Sequence, residues 1–321
     1  MQFKVAALQA LSASAKVATK GPLEAAQHVA TCMLLCSFEI LLPSESSGEW
    51  LWYIRGAMEI VQSALLMQHV NESDIGSLLD WVYYHHAVSQ FATFHWRHKS
   101  VVLSATDAAT ADLGGNRLLP FAKESPVSPS PRPTYAILNL LSEVCDTLLD
   151  PSDPASHDER YKDRLKALEW RIRNLPPASP PQDATSLETS ADVQLPVELY
   201  QTATLVYLLR ASQSPWEPPA DLDSVIDRAF AGPIQAPACE HFFPMFILAC
   251  EARTDEQRVA ILDLLDRTER NDHMRSMKGF RAEIQSFWVQ QDLNADSDLV
   301  LNYVGVMKAV VSSNKALPSY A

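Results

Sequence analysis

The chain has 321 residues, of which 47% are hydrophobic and 20% are charged, and it carries a formal net charge of −13. A chain of this length can bury a core without a metal ion or disulfide bond to stabilise it. The acidic charge argues against direct nucleic-acid binding, because phosphate backbones would be repelled and no basic block stands out. The 5 cysteines include no C-x-x-C pair and predict buried thiols in a reducing compartment.

The sequence also lacks the features of a secreted or membrane-spanning protein. No stretch reaches the ~18 uncharged apolar residues of a membrane span. The N-terminus has no charged region followed by an apolar run and a small-residue cleavage site, as a secretory signal would require. We therefore expect an intracellular protein, nuclear or cytoplasmic, with no membrane partner.

The spacing of the apolar residues predicts the fold class. Apolar residues recur every three or four positions over long stretches, almost none alternate, and there are only 9 glycines. This pattern predicts an all-α fold, a multi-helix bundle with Pro-rich loops. We expect a single domain over residues 1–321, with flexible loops at about 100–133 and 176–195.

A helical hairpin is predicted near the start of the chain, after a first helix within residues 1–17. Pro22 suits the first turn of a helix that Pro43 ends, and a second helix follows a short turn. A short connection between two such helices implies antiparallel packing. The predicted buried faces are Ala25, Val29, Cys32, Met33, Cys36 and Ile40 on the first helix, and Leu51, Ile54, Met58, Val61 and Leu65 on the second.

Further helices follow along the chain. Residues 78–99 are apolar on most faces, so this helix is expected at the centre of the bundle. Residues 159–175 show a clean amphipathic pattern, and the apolar run at residues 241–250 predicts a buried helix. Thr254 and Gln257 fit a capping box at the next helix start. Other helical patterns begin at Thr134, Pro196, Leu222 and Met277, and residues 299–311 end the array.

Three stretches of the sequence stand out together, namely ATCMLLCSFEILLPSESSGEWLWYIRGAMEIVQ from Ala30, ELYQTATLVYLLRAS from Glu198 and FPMFILACEARTDEQR from Phe243. In this order they resemble the regulatory homology domain of fungal zinc-cluster transcription factors. The resemblance covers nearly the whole chain and implies an all-α bundle with a regulatory role, and it is less specific for activity. The positions that carry it include Phe38-Glu39, Trp50, Gly56-Ala57, Glu251 and Arg258.

The sequence departs from the family pattern in two respects. Tyr53 stands three residues after Trp50, where the family commonly has His, so any shared role there is in doubt. The family's six-cysteine zinc cluster, basic linker and dimerising coiled coil are not found in this sequence. The resemblance therefore implies a protein that does not read DNA by the family's mechanism.

Aromatic side chains in the hairpin and the central helix are the best candidates for a small-molecule pocket. They combine apolar faces with hydrogen-bonding edges, and helical bundles place ligand sites between their helices. The alternative is that aromatic residues at helical spacing simply form the core. The ligand-pocket candidates are Trp52, Tyr53, Tyr84, His95, Trp96 and Arg97.

Histidines and other ionisable residues allow two interpretations. His85, His86, His95 and His98 fall within one predicted helix, but a zinc ion would need further ligands and a base, so core or surface positions are expected and no metal site. Other ionisable residues lie beside apolar runs and need partners if buried, which favours structural ion pairing over ligand binding. These residues are Arg55, Arg97, Arg210 and His241, with Glu39, Glu198 and Glu251 as possible partners.

Two functions remain open from the sequence. The first is a fungal transcription-factor-like regulatory protein without a DNA-binding module, binding an apolar metabolite or a partner protein, in secondary metabolism. The alternative is an enzyme of fungal natural-product biosynthesis, a cyclase or pericyclase that uses the aromatic pocket, with His95 or Arg97 polarising a carbonyl. No catalytic motif and no phosphate-binding loop is present, and no cofactor is expected.

Overall fold

A computed structural model describes most of the predicted helical regions. The described residues are Lys4, Gln9, 21–41, 48–69, 73–96, 133–149, 153–176, 197–212, 221–232, 234, 241–271, 277–293, 302–314 and 316–320. They contain eleven α-helices and no strand, which confirms the all-α prediction. The two predicted loops and most of the predicted first helix lie outside the described residues.

The helices follow one another along the chain with two short 3₁₀ helices between them. The 3₁₀ helices are Leu66–His69 and Pro154–His157. The α-helices are α1 (Pro22–Leu41), α2 (Trp50–Ser63), α3 (Ser73–His95), α4 (Pro133–Thr147), α5 (Glu159–Arg173), α6 (Val197–Ser212), α7 (Leu222–Ala231), α8 (Phe242–Cys250), α9 (Asp255–Asn271), α10 (Lys278–Leu293) and α11 (Tyr303–Ser312).

The predicted hairpin is formed by α1 and α2, which pack closely against each other. The predicted inner faces are buried or half-buried from Ala25 to Val61. The prediction that Leu65 lies on the buried face is wrong, because its side chain is exposed while Leu66 is fully buried. α2 ends at Ser63 and Leu65 takes a left-handed backbone with φ of 52°, so the turn decides which leucine reaches the core.

The central helix lies where the sequence places it, but its ends differ from the prediction. α3 packs against α1, α2, α4 and α11. It begins at Ser73, five residues earlier than predicted, and it ends at His95. Thr134 is likewise not the cap of α4, because that helix begins at Pro133, a favoured first helical position for proline.

The second half of the chain packs around α6 and α8. α6 contacts α4, α5, α7, α8 and α11. Every residue of α8 is buried, which confirms the predicted buried helix. The predicted capping box is also confirmed. The backbone N–H of Gln257 donates to Thr254 Oγ1, and the backbone N–H of Thr254 donates to Gln257 Oε1, each at 3.3 Å.

Residues 316–320 return across the bundle, although their sequence has no helical pattern. The Leu317 carbonyl accepts a hydrogen bond from Trp50 Nε1 at 3.3 Å, which ties the segment to α2. The Tyr320 carbonyl accepts from the Phe243 amide at 3.1 Å, which ties it to α8. Leu317 and Tyr320 belong to the same hydrophobic core as α1 and α2, so this segment closes the bundle.

Candidate functional site: a buried aromatic seam

A strip of aromatic and polar side chains runs through the core where α3, α6 and α8 meet. On each of α3 and α6 the contributing residues are spaced about four or seven positions apart, which places them on one helical face. We call these eight residues the aromatic seam: Tyr84, Phe91 and His95 of α3, Tyr200, Thr204 and Tyr207 of α6, and His241 and Phe243 at the start of α8.

Phe91 connects the parts of the seam through ring contacts. Its ring centroid lies 4.9 Å from that of His95, 5.2 Å from Tyr207 and 5.1 Å from Phe243. Tyr320 of the closing segment adds a fourth ring at 5.3 Å. All four contacts are edge-to-face, the arrangement that aromatic quadrupoles favour. The seam is therefore ordered by ring geometry as well as by apolar burial.

One end of the seam is built around His95. Its Nε2 atom lies 2.8 Å from the Tyr207 hydroxyl, which also shares a hydrogen bond with the Cys145 thiol. Burial, with a smaller contribution from Lys308, lowers the pKa of His95 to about 3, so the imidazole is neutral near pH 7. The His95 carbonyl accepts from Ser312 Oγ at 3.3 Å, which holds this end of α3 against α11.

Two buried polar atoms of the seam have no hydrogen-bond partner among the described residues. They are His95 Nδ1 and Thr204 Oγ1, and both side chains are 0% exposed. Thr204 lies one helical turn after Tyr200 on the face that also carries Tyr207. A buried polar group without a partner costs roughly 1–3 kcal/mol, so native proteins rarely keep one without a reason.

The other end of the seam joins Tyr84 to Tyr200 and His241. The Tyr84 ring lies 6.1 Å from the Tyr200 ring and 6.0 Å from the His241 ring. The Tyr200 hydroxyl and His241 Nδ1 are 3.3 Å apart. Burial lowers the pKa of His241 to about 4, so this histidine is also neutral near pH 7. Both ends of the seam thus combine neutral imidazoles with phenols.

The structure separates the predicted pocket residues into different environments. Tyr84 and His95 lie in the seam, and Trp96 is half-buried against the same core directly after α3. Trp52 is 56% exposed, and its ring packs against the Arg55 guanidinium at 5.7 Å. Among the described contacts, none links Trp52 to the seam.

Tyr53 and Arg97 complete the predicted set. Tyr53 of α2 is half-buried against the core and interacts electrostatically with Lys4 and Glu39, and burial raises its pKa. Arg97 lies outside the described residues. That these six residues bind one ligand therefore stays a prediction.

Sequence reasoning missed the contribution of α6 to the seam. It predicted a helix there, named Glu198 and Arg210 as ionisable residues and noted the family resemblance, but it named none of the residues that α6 contributes to the seam. The available signal was the spacing of Tyr200, Thr204 and Tyr207 at i, i+4 and i+7 within an otherwise apolar helix. The spacing does not show which neighbouring helix these residues face.

The predicted structural ion pairing is confirmed for Arg210. Its Nε and Nη2 atoms donate to Glu251 Oε2 at 2.9 and 2.7 Å, and Glu251 is buried. Arg258 instead pairs with both carboxylate oxygens of Asp292 at 2.8 and 2.7 Å. The two positions noted in the family resemblance, Glu251 and Arg258, thus use different partners.

Two further carboxylates are buried and paired. Glu39 forms an ion pair with Lys4 at 2.6 Å, and the pKa of Lys4 is raised by its hydrogen bonds to Glu39 and Glu49. Glu283 accepts hydrogen bonds from Asn314 Nδ2 at 2.5 Å and from the Tyr320 hydroxyl at 3.0 Å. These contacts fix α1, α10 and the closing segment.

The described part of the chain offers no group of three or more His, Cys, Asp or Glu side chains that could hold a metal ion. Cys32, Cys36, Cys145 and Cys250 are buried free thiols, and burial raises the pKa of each. Within the described ranges, no helix is long and apolar enough to cross a membrane.

The fold and the seam define an all-α helical domain with neutral polar groups inside an aromatic core. The chain belongs to the family described as fungal specific transcription factor domain, whose family model matches residues 1–312. It is 31% identical over 323 residues to a protein of Pestalotiopsis fici named Transcription factor iacI, covering 100% of this chain and 78% of that protein. No solved structure gives a significant match. The predicted family is therefore confirmed.

Proposed function

We propose that this chain is a regulatory domain of a fungal transcription-factor system and that its input is a small, largely apolar molecule bound at the aromatic seam. The observation that carries this proposal is the pair of buried polar atoms, His95 Nδ1 and Thr204 Oγ1. Neither has a hydrogen-bond partner among the described residues, and both side chains are fully buried.

A bound molecule that forms hydrogen bonds with these two atoms would remove the free-energy cost of burying them without partners. The neutral His95 ring has one donor and one acceptor nitrogen, and Nε2 is already used by Tyr207. A ligand with one hydroxyl or carbonyl group could pair with Nδ1 or with the Thr204 hydroxyl, and its apolar part would contact the ring edges. Such sites are mostly apolar with a few polar groups that fix orientation.

In this proposal, another protein or another polypeptide segment contacts the DNA. A formal charge of −13 disfavours a phosphate backbone, and 5 cysteines cannot form a six-cysteine zinc cluster. The domain would act by changing a partner protein in the nucleus or cytoplasm. We propose that the controlled genes belong to secondary metabolism, so transcripts of natural-product genes should change when this gene is deleted. Unchanged transcripts would contradict this part of the proposal.

The ligand proposal is tested with a matched pair of probes, 2-naphthol and naphthalene. The two molecules share their fused rings, but only 2-naphthol has a hydroxyl group. Isothermal titration of the purified chain should show tighter binding of 2-naphthol. The double variant Thr204→Val with His95→Leu should remove most of that difference, since it lacks both unpaired polar atoms, and the two single variants show which atom the hydroxyl uses.

Thr268→Val is the matched control. Thr268 is equally buried, but its hydroxyl already donates to the Leu264 carbonyl at 2.8 Å in α9. This variant should keep the preference for 2-naphthol. Equal binding of both probes by the unmodified chain, or loss of the preference in Thr268→Val, would contradict a site at the seam.

A second measurement separates a regulator from an enzyme. The purified chain is incubated with an extract of a fungal culture and passed through gel filtration, and mass spectrometry identifies retained and newly formed compounds. A compound retained unchanged supports a regulatory domain. New products formed by the unmodified chain but not by His95→Leu would support the natural-product enzyme instead.

A further inference from the structure

The side chains at the centre of the aromatic seam are closed to the solvent. Phe91, His95, Thr204 and Tyr207 are each 0% exposed. A molecule from solution can reach these side chains only if part of the surrounding chain moves. Packed helices separate at a high cost in free energy, whereas short segments held at a few points open more readily. Entry of a ligand therefore requires an element that can leave the core while the helices stay packed.

The closing segment, residues 316–320, is such an element, and it contacts the seam directly. Phe91 lies against rings on α3, α6 and α8 and also against the ring of Tyr320. Tyr320 is 1% exposed, and its ring stacks on that of Phe246 with centroids 5.0 Å apart. Residues 317–320 form neither helix nor strand. One side of the seam is therefore covered by chain outside the helical framework.

Three helices hold the closing segment at separate points. Trp50 of α2 donates to the Leu317 carbonyl at 3.3 Å, and the Tyr320 hydroxyl donates to Glu283 of α10 at 3.0 Å. The Phe243 amide lies in the first turn of α8, where amides have no partner within the helix, and it donates to the Tyr320 carbonyl at 3.1 Å. Opening would break these bonds, but it would also return the buried Glu283 carboxylate to water, which offsets part of the loss.

We propose that the closing segment is the gate of the seam: residues 316–320 swing away from the core as one unit, admit the ligand and return over it. This gate rests on the proposed function for its ligand, whereas its opening can be measured on the chain alone. The swing begins after Asn314, which is held by its own bonds to Glu283 and to the Val311 carbonyl. It moves the Tyr320 ring away from Phe91 and leaves α3, α6 and α8 in place.

The Cys250 thiol reports on the gate without any ligand. It is 0% exposed and interacts electrostatically with the Tyr320 hydroxyl and with Glu283. Burial raises the pKa of this thiol, so it is unreactive while the segment is in place. Opening of the gate lets N-ethylmaleimide reach Cys250, and peptide mapping by mass spectrometry follows its labelling. Cys145 is the internal control, because it is buried on α4 beside Tyr207.

Tyr320→Phe tests the bond between the gate and α10. It removes the donor to Glu283 and should speed up labelling of Cys250 by about tenfold, while labelling of Cys145 stays unchanged. Tyr303→Phe is the matched variant, because its hydroxyl also interacts with Cys250 but has no hydrogen-bond partner among the described residues. This variant should label as the unmodified chain does. Equal acceleration of Cys250 and Cys145 in Tyr320→Phe would show unfolding of the whole core and would overturn the gate.

An engineered disulfide between Gly48→Cys and Leu317→Cys should lock the gate. A Cβ atom added at Gly48 would lie 3.9 Å from Leu317 Cβ, a distance that disulfides span. Gly48 has a φ of 93°, which strains other residues, so the reduced form of the same double variant is the control. The oxidised form should label Cys250 at least about tenfold more slowly than the reduced form. Equal labelling of Cys250 in both forms would overturn the gate.

Stopped-flow binding of 2-naphthol, followed by its fluorescence, tests the route of entry. The oxidised double variant should bind at least about tenfold more slowly than its reduced form, because the closed segment blocks access. Equal rates in both forms would overturn the closing segment as the entry route. Absence of binding in the unmodified chain would contradict the proposed function, and the labelling of Cys250 would still decide whether the segment opens.

Discussion

Two buried polar regions of the same core differ in how their polar groups are paired. Around the end of α8, Glu251 accepts two hydrogen bonds from Arg210, and Glu283 accepts from Asn314 and Tyr320. In the aromatic seam, the second nitrogen of His95 has no partner among the described residues. The first region stabilises the fold, whereas the second contains a polar atom that is not used in a hydrogen bond among the described residues.

This difference separates structural polar groups from candidate functional ones. A buried charge is tolerated only when it is paired, so the carboxylates near α8 must be satisfied by the protein itself. A neutral imidazole or hydroxyl costs less when it lacks a partner. The seam can therefore retain such groups without a partner. Removing one of them should leave stability unchanged or slightly increased, whereas breaking a buried pair should lower it.

The largest effect is expected from breaking the buried ion pair. Arg210→Met would leave the Glu251 carboxylate buried without its partner and should lower the free energy of unfolding by about 3–5 kcal/mol. Urea denaturation followed by circular dichroism measures this change. Arg171→Met is the control, because its pair with Glu143 is exposed and should be worth at most about 1 kcal/mol.

Next in size is the loss of one hydroxyl from the paired region. Tyr320→Phe removes a donor to the buried Glu283 carboxylate and should cost about 1–3 kcal/mol in thermal or urea unfolding. Tyr303→Phe is the matched variant, because the Tyr303 hydroxyl has no hydrogen-bond partner among the described residues. Tyr303→Phe should change stability by much less. Equal losses of stability in both variants would contradict the difference between a paired and an unpaired hydroxyl.

The pH dependence of stability probes the neutral histidines. Burial lowers the pKa of His95 to about 3 and of His86 and His241 to about 4, from an ordinary value of 6.5. The unfolded chain therefore binds more protons as the pH falls below about 6.5. Stability is full above that pH and should decline by up to about 1.4 kcal/mol per pH unit for each histidine.

His95→Leu should reduce that decline between pH 6.5 and pH 5, where most carboxylates are still ionised. Urea midpoints measured at several pH values give the slope. His69→Leu is the control, since His69 is not fully buried and lies in the 3₁₀ helix after α2. An unchanged slope in His95→Leu would contradict a neutral, buried imidazole.

The smallest effect is expected for the unpaired hydroxyl of the seam. Thr204→Val removes a hydroxyl without a partner among the described residues and should leave stability unchanged or slightly increased. Thr268→Val breaks a hydrogen bond to the Leu264 carbonyl and should cost about 1 kcal/mol. Differential scanning calorimetry compares the two, and a larger loss for Thr204→Val would show that its hydroxyl is paired.

The helix faces could be predicted because they depend on residues close together in the chain. The stripe of α5 is an example: Tyr161, Leu168 and Ile172 are buried as their spacing indicates. The capping box of Thr254 and Gln257 forms within one helical turn. The position of Leu65 could not be predicted, because a single turn residue with a positive φ reverses which side chain faces inward.

The candidate site was predicted only in part. Tyr84 and His95 were selected because aromatic and histidine residues cluster in α3, but their partners lie far away in the sequence. Tyr207 is 112 residues from His95, and His241 is 41 residues from Tyr200. No periodic pattern connects positions so far apart.

The amino-acid sequence by itself determined the all-α class, the buried face of most helices and the family, because these follow from local spacing and from short motifs. Only the tertiary structure decided which helical faces meet, which buried charges pair and which polar atoms stay without a partner. The physical reason is that hydrophobic burial selects a face of each helix without direction or partner identity. Hydrogen bonds and ring contacts have strict geometry, so they are settled only when the helices are packed.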